Sequence, residues 1–208
     1  MAAIAADGTK LPLQFIAKGE SDACIPTQIG DVHPHYATFS KNGWTTEETF
    51  ITFLNIVREY YGFDDPHCIT LVVDSYRAHK TLKVQQTAEN LRIFLVYIPP
   101  GVTDIFQPLD VGIFGGLKRV AAQLFCQRSK NEADMVRRKI DACADLVCAW
   151  ERVNAETIRK AFKQLQELEY GSSNIIVTST EYEHWEHHVE ASKLTSAQRE
   201  QKRFEMQH

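Results

Sequence analysis

Two aspartates stand at points where a fold would hold a side chain firmly and still leave it accessible. Asp74 directly follows the apolar run Leu71-Val72-Val73. That puts it at the carboxyl end of a buried strand, where open α/β sheets place their ligand sites. Asp110 follows after 35 intervening residues, beyond a proline-rich loop and at the start of a predicted helix. Each has a plainer reading as a cap of the turn or helix that follows it, because carboxylates accept from free amide donors and suit the helix dipole. Together they bracket one crossover of the chain and so belong to one edge of a sheet. Carboxylates gathered there repel unless a cation lies between them, and the fitting cations are Mg²⁺ or Mn²⁺, hard ions that prefer oxygen ligands.

The elements that must position this pair are legible in the spacing. Cys68–Val73 is a continuous β-branched run of strand length, and Ile93–Ile98 reads as a second buried strand, closed by Pro99-Pro100-Gly101. With residues 80–91 as a helix between them, a right-handed parallel crossover is the economical arrangement. A strand apolar on both faces is expected to be central, covered by helices on each side. Upstream, residues 2–17 read as a β-hairpin turned at Asp7-Gly8, and Tyr36–Phe39 as a short strand in a loop-rich stretch. Thr45 with Glu48 predicts a capping box. Phe50, Phe53, Leu54, Val57 and Tyr61 recur at helical spacing, giving a helix over 46–60 that ends near Gly62.

Downstream, Val111–Arg128 predicts a long helix with Ile113, Leu117, Val120, Ala121 and Leu124 inward. Asp134–Trp150 and Glu156–Leu168 predict a helical pair with Asn154 as N-cap between them. Residues 175–180 are a short apolar run, and the segment from Glu181 onward is charged and increasingly polar. The organisation expected is a core over 1–128, a helical continuation over 129–170 and a polar extension over 171–208.

The 208 residues carry 23 Lys plus Arg against 27 Asp plus Glu, a net charge of −4. The whole-chain field therefore does not favour a polyanion, and any nucleic-acid contact has to be a local patch. Lys118, Arg119, Arg128 and Lys130, joined by Arg137, Arg138 and Lys139, offer a modest basic face. The same residues, interleaved with Glu132 and Asp134, also describe a solvated helix surface. No apolar run is long enough to span a bilayer. Five scattered cysteines without a Cys-x-x-Cys pair argue against disulfides and zinc modules and suggest buried thiols of a reducing compartment. The first residues lack the basic and long apolar regions of a signal peptide and read as a strand cut close to its start.

The segments Val72-Val73-Asp74-Ser75-Tyr76-Arg77-Ala78-His79 and Tyr97-Ile98-Pro99-Pro100-Gly101 through Gln107-Pro108-Leu109-Asp110-Val111-Gly112 resemble the DDE superfamily endonuclease domain of pogo- and Tigger-type transposases in the mariner superfamily. Ala6–Pro12, Asn42-Gly43-Trp44 and Ala149–Ile158 resemble its flanking segments, so the likeness covers roughly residues 2–165. The resemblance implies an α/β, ribonuclease-H-like mixed sheet flanked by helices, with a helical extension at the carboxyl end. It also implies three carboxylates holding two Mg²⁺ or Mn²⁺ ions for phosphodiester transfer, with DNA as substrate, no small-molecule cofactor and hence a nuclear location. Asp74 matches the second ligand and Asp110 the third. His79 matches a recurring His, read as a support of the site rather than a ligand. The family's first Asp lies on a strand ahead of the hairpin. The expectation is thus an amino-terminally truncated domain that lacks its first strand and is catalytically incomplete by itself. The alternative is a domesticated, non-catalytic DNA- or protein-interaction module on the same scaffold. A homodimer is a further expectation.

Other features are weaker. His184-Trp185-Glu186-His187-His188 has imidazoles at helical spacing but is flanked by Glu181, Glu183 and Glu190, the signature of an exposed helix more than of zinc. Trp44 and Trp150 beside helix termini are read as packing residues. Gly115-Gly116 is not a phosphate loop, since no Lys-Ser/Thr follows.

Overall fold

The computed structural model describes residues 1–25, 35–127 and 135–170. Arg128, Lys130, the run 175–180 and the His-rich segment 184–188 lie outside the described residues.

The described chain opens on the expected hairpin, with one irregularity. Ile4 bridges Lys10 in antiparallel fashion, Ala5 N donates to Thr9 O and Leu11 N to Ala3 O. The next bond runs from Gln14 N to Met1 O, one residue out of that register. Pro12, which has no N–H to give, falls within the extra residue, as prolines in sheets do at bulges. Beyond the bulge the chain leaves the hairpin. Gln14–Lys18 (β1) pairs in parallel with Tyr36–Ser40 (β2), Gln14 opposite Tyr36 and Lys18 opposite Ser40.

The helix Glu47–Tyr61 (α1) begins one residue later than its spacing predicts. Thr46, not Thr45, is the N-cap, and the capping box closes on Thr49, whose hydroxyl accepts from Thr46 N at 2.8 Å. Phe50, Phe53, Leu54 and Val57 are buried as expected, whereas Tyr61 is exposed at the last turn. Ile69–Asp74 (β3), Leu82–Asn90 (α2) and Ile93–Ile98 (β4) form the predicted parallel crossover, Asp74 opposite Ile98. The helix predicted from Val111 is present, but its first turn is π-helical. A short helix Thr103–Phe106 (α3) is followed by a π-helical turn at Leu109–Ile113 and only then by Phe114–Gln127 (α4). Met135–Glu151 (α5) and Ala155–Tyr170 (α6) complete the described chain. Asn154 caps α6 as predicted, its Oδ1 accepting from Thr157 N at 2.8 Å.

The mixed α/β character is present, but hydrogen bonding divides the strands into two parallel pairs, β1–β2 and β3–β4. β3 is therefore an edge strand among the described residues rather than a central one. Its inward residues Ile69, Leu71 and Val73 face α1 and α2, while Thr70 and Val72 on the other face are exposed. The cysteines are free, and Cys68 and Cys126 are exposed instead of buried.

Two apolar clusters sandwich the hairpin. On one side Ala3 and Leu11 pack with Phe50, Phe53, Leu54 and Val57 of α1 and with Val73, Val84 and Ile93. On the other, Leu13 joins Leu109, Ile113, Leu117, Trp150, Ile158 and Ala161, with Ala2 and Ile4 against them. The alternation of Ala2, Ala3 and Ile4 between the clusters is the period-two signature of a strand covered on both faces. Gly112 lets the π turn approach α6 closely, since a Cβ there would lie 2.7 Å from Ala161 Cβ. Gly112→Ala is expected to lower stability by about 1–3 kcal/mol, the usual cost of overpacking. A urea midpoint unchanged from the parent would contradict the close approach.

Candidate functional site

Asp74 ends β3, and its Oδ1 meets two donors. Tyr76 N approaches at 3.3 Å and His79 Nδ1 at 2.8 Å. The first contact is the turn-capping role anticipated as the plain reading. The second ties the carboxylate to the core, because the His79 ring lies on Phe50 of α1 with ring centroids 4.0 Å apart and meets Tyr76 edge-on at 5.6 Å. Tyr97 Oη donates to His79 O at 2.9 Å, and Ser75 Oγ to Ile98 O at 2.6 Å. His79 Nε2 is buried without a hydrogen-bond partner among the described residues. The His79 hydrogen bond holds the Asp74 carboxyl below the usual carboxylate range against the opposing effect of partial burial, helped by the His79 charge, the Tyr76 N–H and Lys80.

Asp110 lies in the π-helical turn, a distortion that often marks functional positions. Pro108, not Asp110, occupies the N-cap, and Asp110 stands in the first turn, where its charge suits the helix dipole as the plain reading has it. Its carboxyl is pushed up, first by partial burial and then by the negative charges of Asp74 and Asp104, with Lys118 opposing. Asp74 thus acts on Asp110 as one like charge on another. Their effects on stability have opposite sign. Asp74, lowered, contributes above the ordinary carboxylate range and loses that contribution as pH falls through its folded value. Asp110, raised, lowers stability as pH climbs from its unfolded value to its folded one.

Asp104, near the start of α3, was not singled out from the sequence. Its signal was available, since it shares the loop between Pro100 and Asp110 with the predicted acid. Among the described residues, no group of three or more His, Cys, Asp or Glu side chains is placed to hold a metal ion. Lys118 and Arg119 are both exposed on α4, and Lys118 lies close enough to act on Asp110. Trp150 is 1% exposed, as a packing residue should be, with Nε1 donating to Leu11 O at 3.1 Å. Trp44 corrects its expectation: it is 73% exposed, since the turn that carries it projects beyond the strand ends.

Comparison with known proteins accords with this arrangement. Residues 1–162 match the family described as DDE superfamily endonuclease. A Cochliobolus lunatus protein named MFS-type transporter clz9 is 32% identical over 84 residues, 38% of this chain and 9% of that protein. The mouse Pogo transposable element with KRAB domain is 30% identical over 117 residues, 55% of this chain and 18% of the relative. The human Jerky protein homolog is 27% identical over 136 residues, 60% of this chain and 23% of the relative. The chain thus spans less than a quarter of each of these proteins. No solved structure gives a significant match. Among the described residues no helix is long and apolar enough to cross a membrane. The family match runs from Met1 to Phe162 and takes in both aspartates, His79 and the proline-rich loop, so the chain belongs to the DDE superfamily endonucleases.

Proposed function

We propose that Asp74 and Asp110 are two acidic ligands of a divalent-metal site for DNA phosphodiester cleavage and transfer, and that a third carboxylate is needed to complete it. What supports this reading is that Asp74 closes β3 at the carboxyl edge of the β3–α2–β4 crossover and that its charge acts on Asp110, a repulsion that a cation would relieve. The donor set fits Mg²⁺ or Mn²⁺, being carboxylate oxygen presented at a partly exposed edge. When bound, such ions activate the attacking oxygen and stabilise the leaving one. The chain's own residues do the positioning. β3 fixes Asp74, the π turn fixes Asp110, and His79 orients one oxygen of Asp74 so that the other is free to face the metal.

The same reading places a further strand beside β3, completing a ribonuclease-H-like sheet. Ile69 N donates to Arg92 O, so in the parallel register Ile69, Leu71 and Val73 direct their backbone groups to β4 and Thr70 and Val72 direct theirs away. In the hairpin, Ala3 and Ala5 bond across to Leu11 and Thr9, which turns the backbone groups of Ala2 and Ile4 outward. Both strands contribute to one apolar cluster through Ala3 and Val73. A strand bearing an aspartate between these two edges joins the pairs and brings the third ligand to the other two. DNA as partner and a nuclear location follow from this substrate class.

The test is Mn²⁺ binding by calorimetry, together with nicking of supercoiled DNA by the 208-residue chain and by a version joined at its amino end to a strand carrying one aspartate. Weak Mn²⁺ binding by the first and nicking by the second is the expected result. Strong nicking by the unextended chain overturns the claim that a third acid is needed. DNA binding without any Mn²⁺ binding favours the non-catalytic interaction module instead.

His79 is a positioning residue in this scheme. His79→Phe keeps the ring on Phe50 but loses the bond to Asp74, and is expected to weaken Mn²⁺ binding about 10- to 100-fold, the range for groups that orient metal ligands. His79→Asn, which restores a donor, should recover part of that loss. Equal loss in both variants with an unchanged melting temperature would count against the positioning role.

A further inference from the structure

We infer that Trp44 and Tyr76 form a stacking platform for unpaired nucleotides on the edge that carries Asp74, an inference that rests on the nucleic-acid reading above and names the form of the strand it takes. The two rings reach that edge by different routes. Trp44 lies in the loop between the end of β2 and Thr46, the N-cap of α1, and Phe50 in the first turn of α1 touches His79. Tyr76 lies two residues beyond Asp74 and meets the same His79 edge-on. Lys83 at the start of α2 is 3.8 Å from Glu47 at the start of α1, which draws the starts of both helices to this one edge.

Three features separate this surface from an ordinary scatter of exposed apolar residues. First, the exposure is large: Trp44 is 73% exposed, Leu82 68% and Tyr76 43%. Second, the Trp44 backbone is held rather than loose. Gly43, at φ +73°, closes the turn with its N–H on Ser40 O at 3.1 Å, and the hydroxyl of buried Ser40 donates to Trp44 O at 2.7 Å. A side chain at position 43 would be strained by that φ and pressed against Lys18 Cβ, so the turn depends on glycine. A fixed backbone presenting an indole to solvent loses little entropy when a flat ligand covers it. Third, cations stand among the acids of this edge. Lys41 and Lys83 are offset by Glu20 and Glu47. Lys18 and Arg77, both exposed, have no ion-pair partner among the described residues, and Lys80 Nζ lies 5.4 Å above the Tyr97 ring. Aromatic faces beside free cations are the recognised means of holding single strands without reading their sequence, because every base has a face to stack.

The experiment measures fluorescence anisotropy of a labelled twelve-residue oligothymidylate, of an abasic strand of equal length and of a duplex, against the full chain and its Trp44→Ala and Trp44→Phe variants. Trp44→Ala is expected to weaken oligothymidylate binding about 5- to 100-fold, the effect of losing one base–aromatic stack, with abasic-strand binding changed less than twofold. Trp44→Phe should restore most of the affinity. Mn²⁺ binding, measured in parallel, should be the same in all three proteins. Oligothymidylate binding within twofold of the parent in Trp44→Ala, or an equal loss for the abasic strand, overturns the platform and leaves the metal reading intact. Failure of the parent chain to bind any of the three DNAs overturns the platform and the nucleic-acid reading together, while the Mn²⁺ titration still reports on the carboxylates.

Discussion

Asp74→Asn, made in the chain extended by an aspartate-bearing strand, is expected to reduce Mn²⁺-dependent nicking by on the order of 10⁴-fold, the scale of losing one member of a catalytic unit. Asn keeps the size of the side chain and an oxygen for Tyr76 N, so the turn after β3 should survive. What it removes is the charge that holds a hard cation. Asp110→Asn should cost a similar factor, and the double variant little more than either alone, because residues that serve one metal site are not additive. The stability effects of the two should differ. Asp74 is held low by its bond to His79, so its loss removes a favourable interaction at neutral pH. Asp110 is held high by burial and by Asp74 and Asp104, so neutralising it relieves repulsion and should leave the metal-free protein no less stable. Nicking within tenfold of the parent in either variant, or destabilisation by Asp110→Asn larger than that by Asp74→Asn, would show that the two carboxylates do not share a site.

The second large effect is on folding. Trp150→Ala is expected to destabilise the protein by about 3–5 kcal/mol, the range for deleting a buried aromatic side chain. Domains of this size are stable by only about 5–15 kcal/mol, so the variant should unfold at much lower urea or fail to fold at 25 °C. Trp150 is 1% exposed, and its Nε1 donates to Leu11 O at 3.1 Å. Its own carbonyl accepts from Lys10 Nζ at 2.8 Å. One residue thus fastens α5 to the hairpin by two bonds and fills the cluster that contains Leu109 and Ile113. Trp150→Phe separates the contributions. It keeps most of the volume and leaves the Leu11 carbonyl unpaired, so its cost should be nearer 1–3 kcal/mol, that of a buried polar group without a partner. Because Leu109 and Ile113 flank Asp110 in the π turn, Trp150→Phe should also weaken Mn²⁺ binding. A change in urea stability below 1 kcal/mol for Trp150→Ala would mean that the second cluster does not support the fold as described.

Local hydrogen bonding and side-chain period were enough, from the residues alone, to locate most elements and to single out both acids. The α1 face built on Phe50, Phe53, Leu54 and Val57, the two buried-strand runs with a helix between them, and the Asn154 cap all depend on partners within a few positions, and such signals are written in the order of the residues. Asp74 is legible for the same reason, since the end of a strand is a local fact. The tertiary structure decided what depends on distant partners. The pairing of Gln14–Lys18 with Tyr36–Ser40 in parallel, and not with the rest of the hairpin, is set by non-local backbone bonds and by a bulge at Pro12. The π turn that opens the predicted long helix brings Gly112 against Ala161, 49 positions away. Asp110 lies in the same turn, and the charges of Asp74 and Asp104 act on it. Trp44, expected to pack because it stands beside a helix terminus, is exposed, on a backbone fixed by the Gly43 turn and the Ser40 hydroxyl. Order along the chain determines which groups are available, but only folding brings their fields and surfaces together, because both depend on distances that spacing in sequence does not contain.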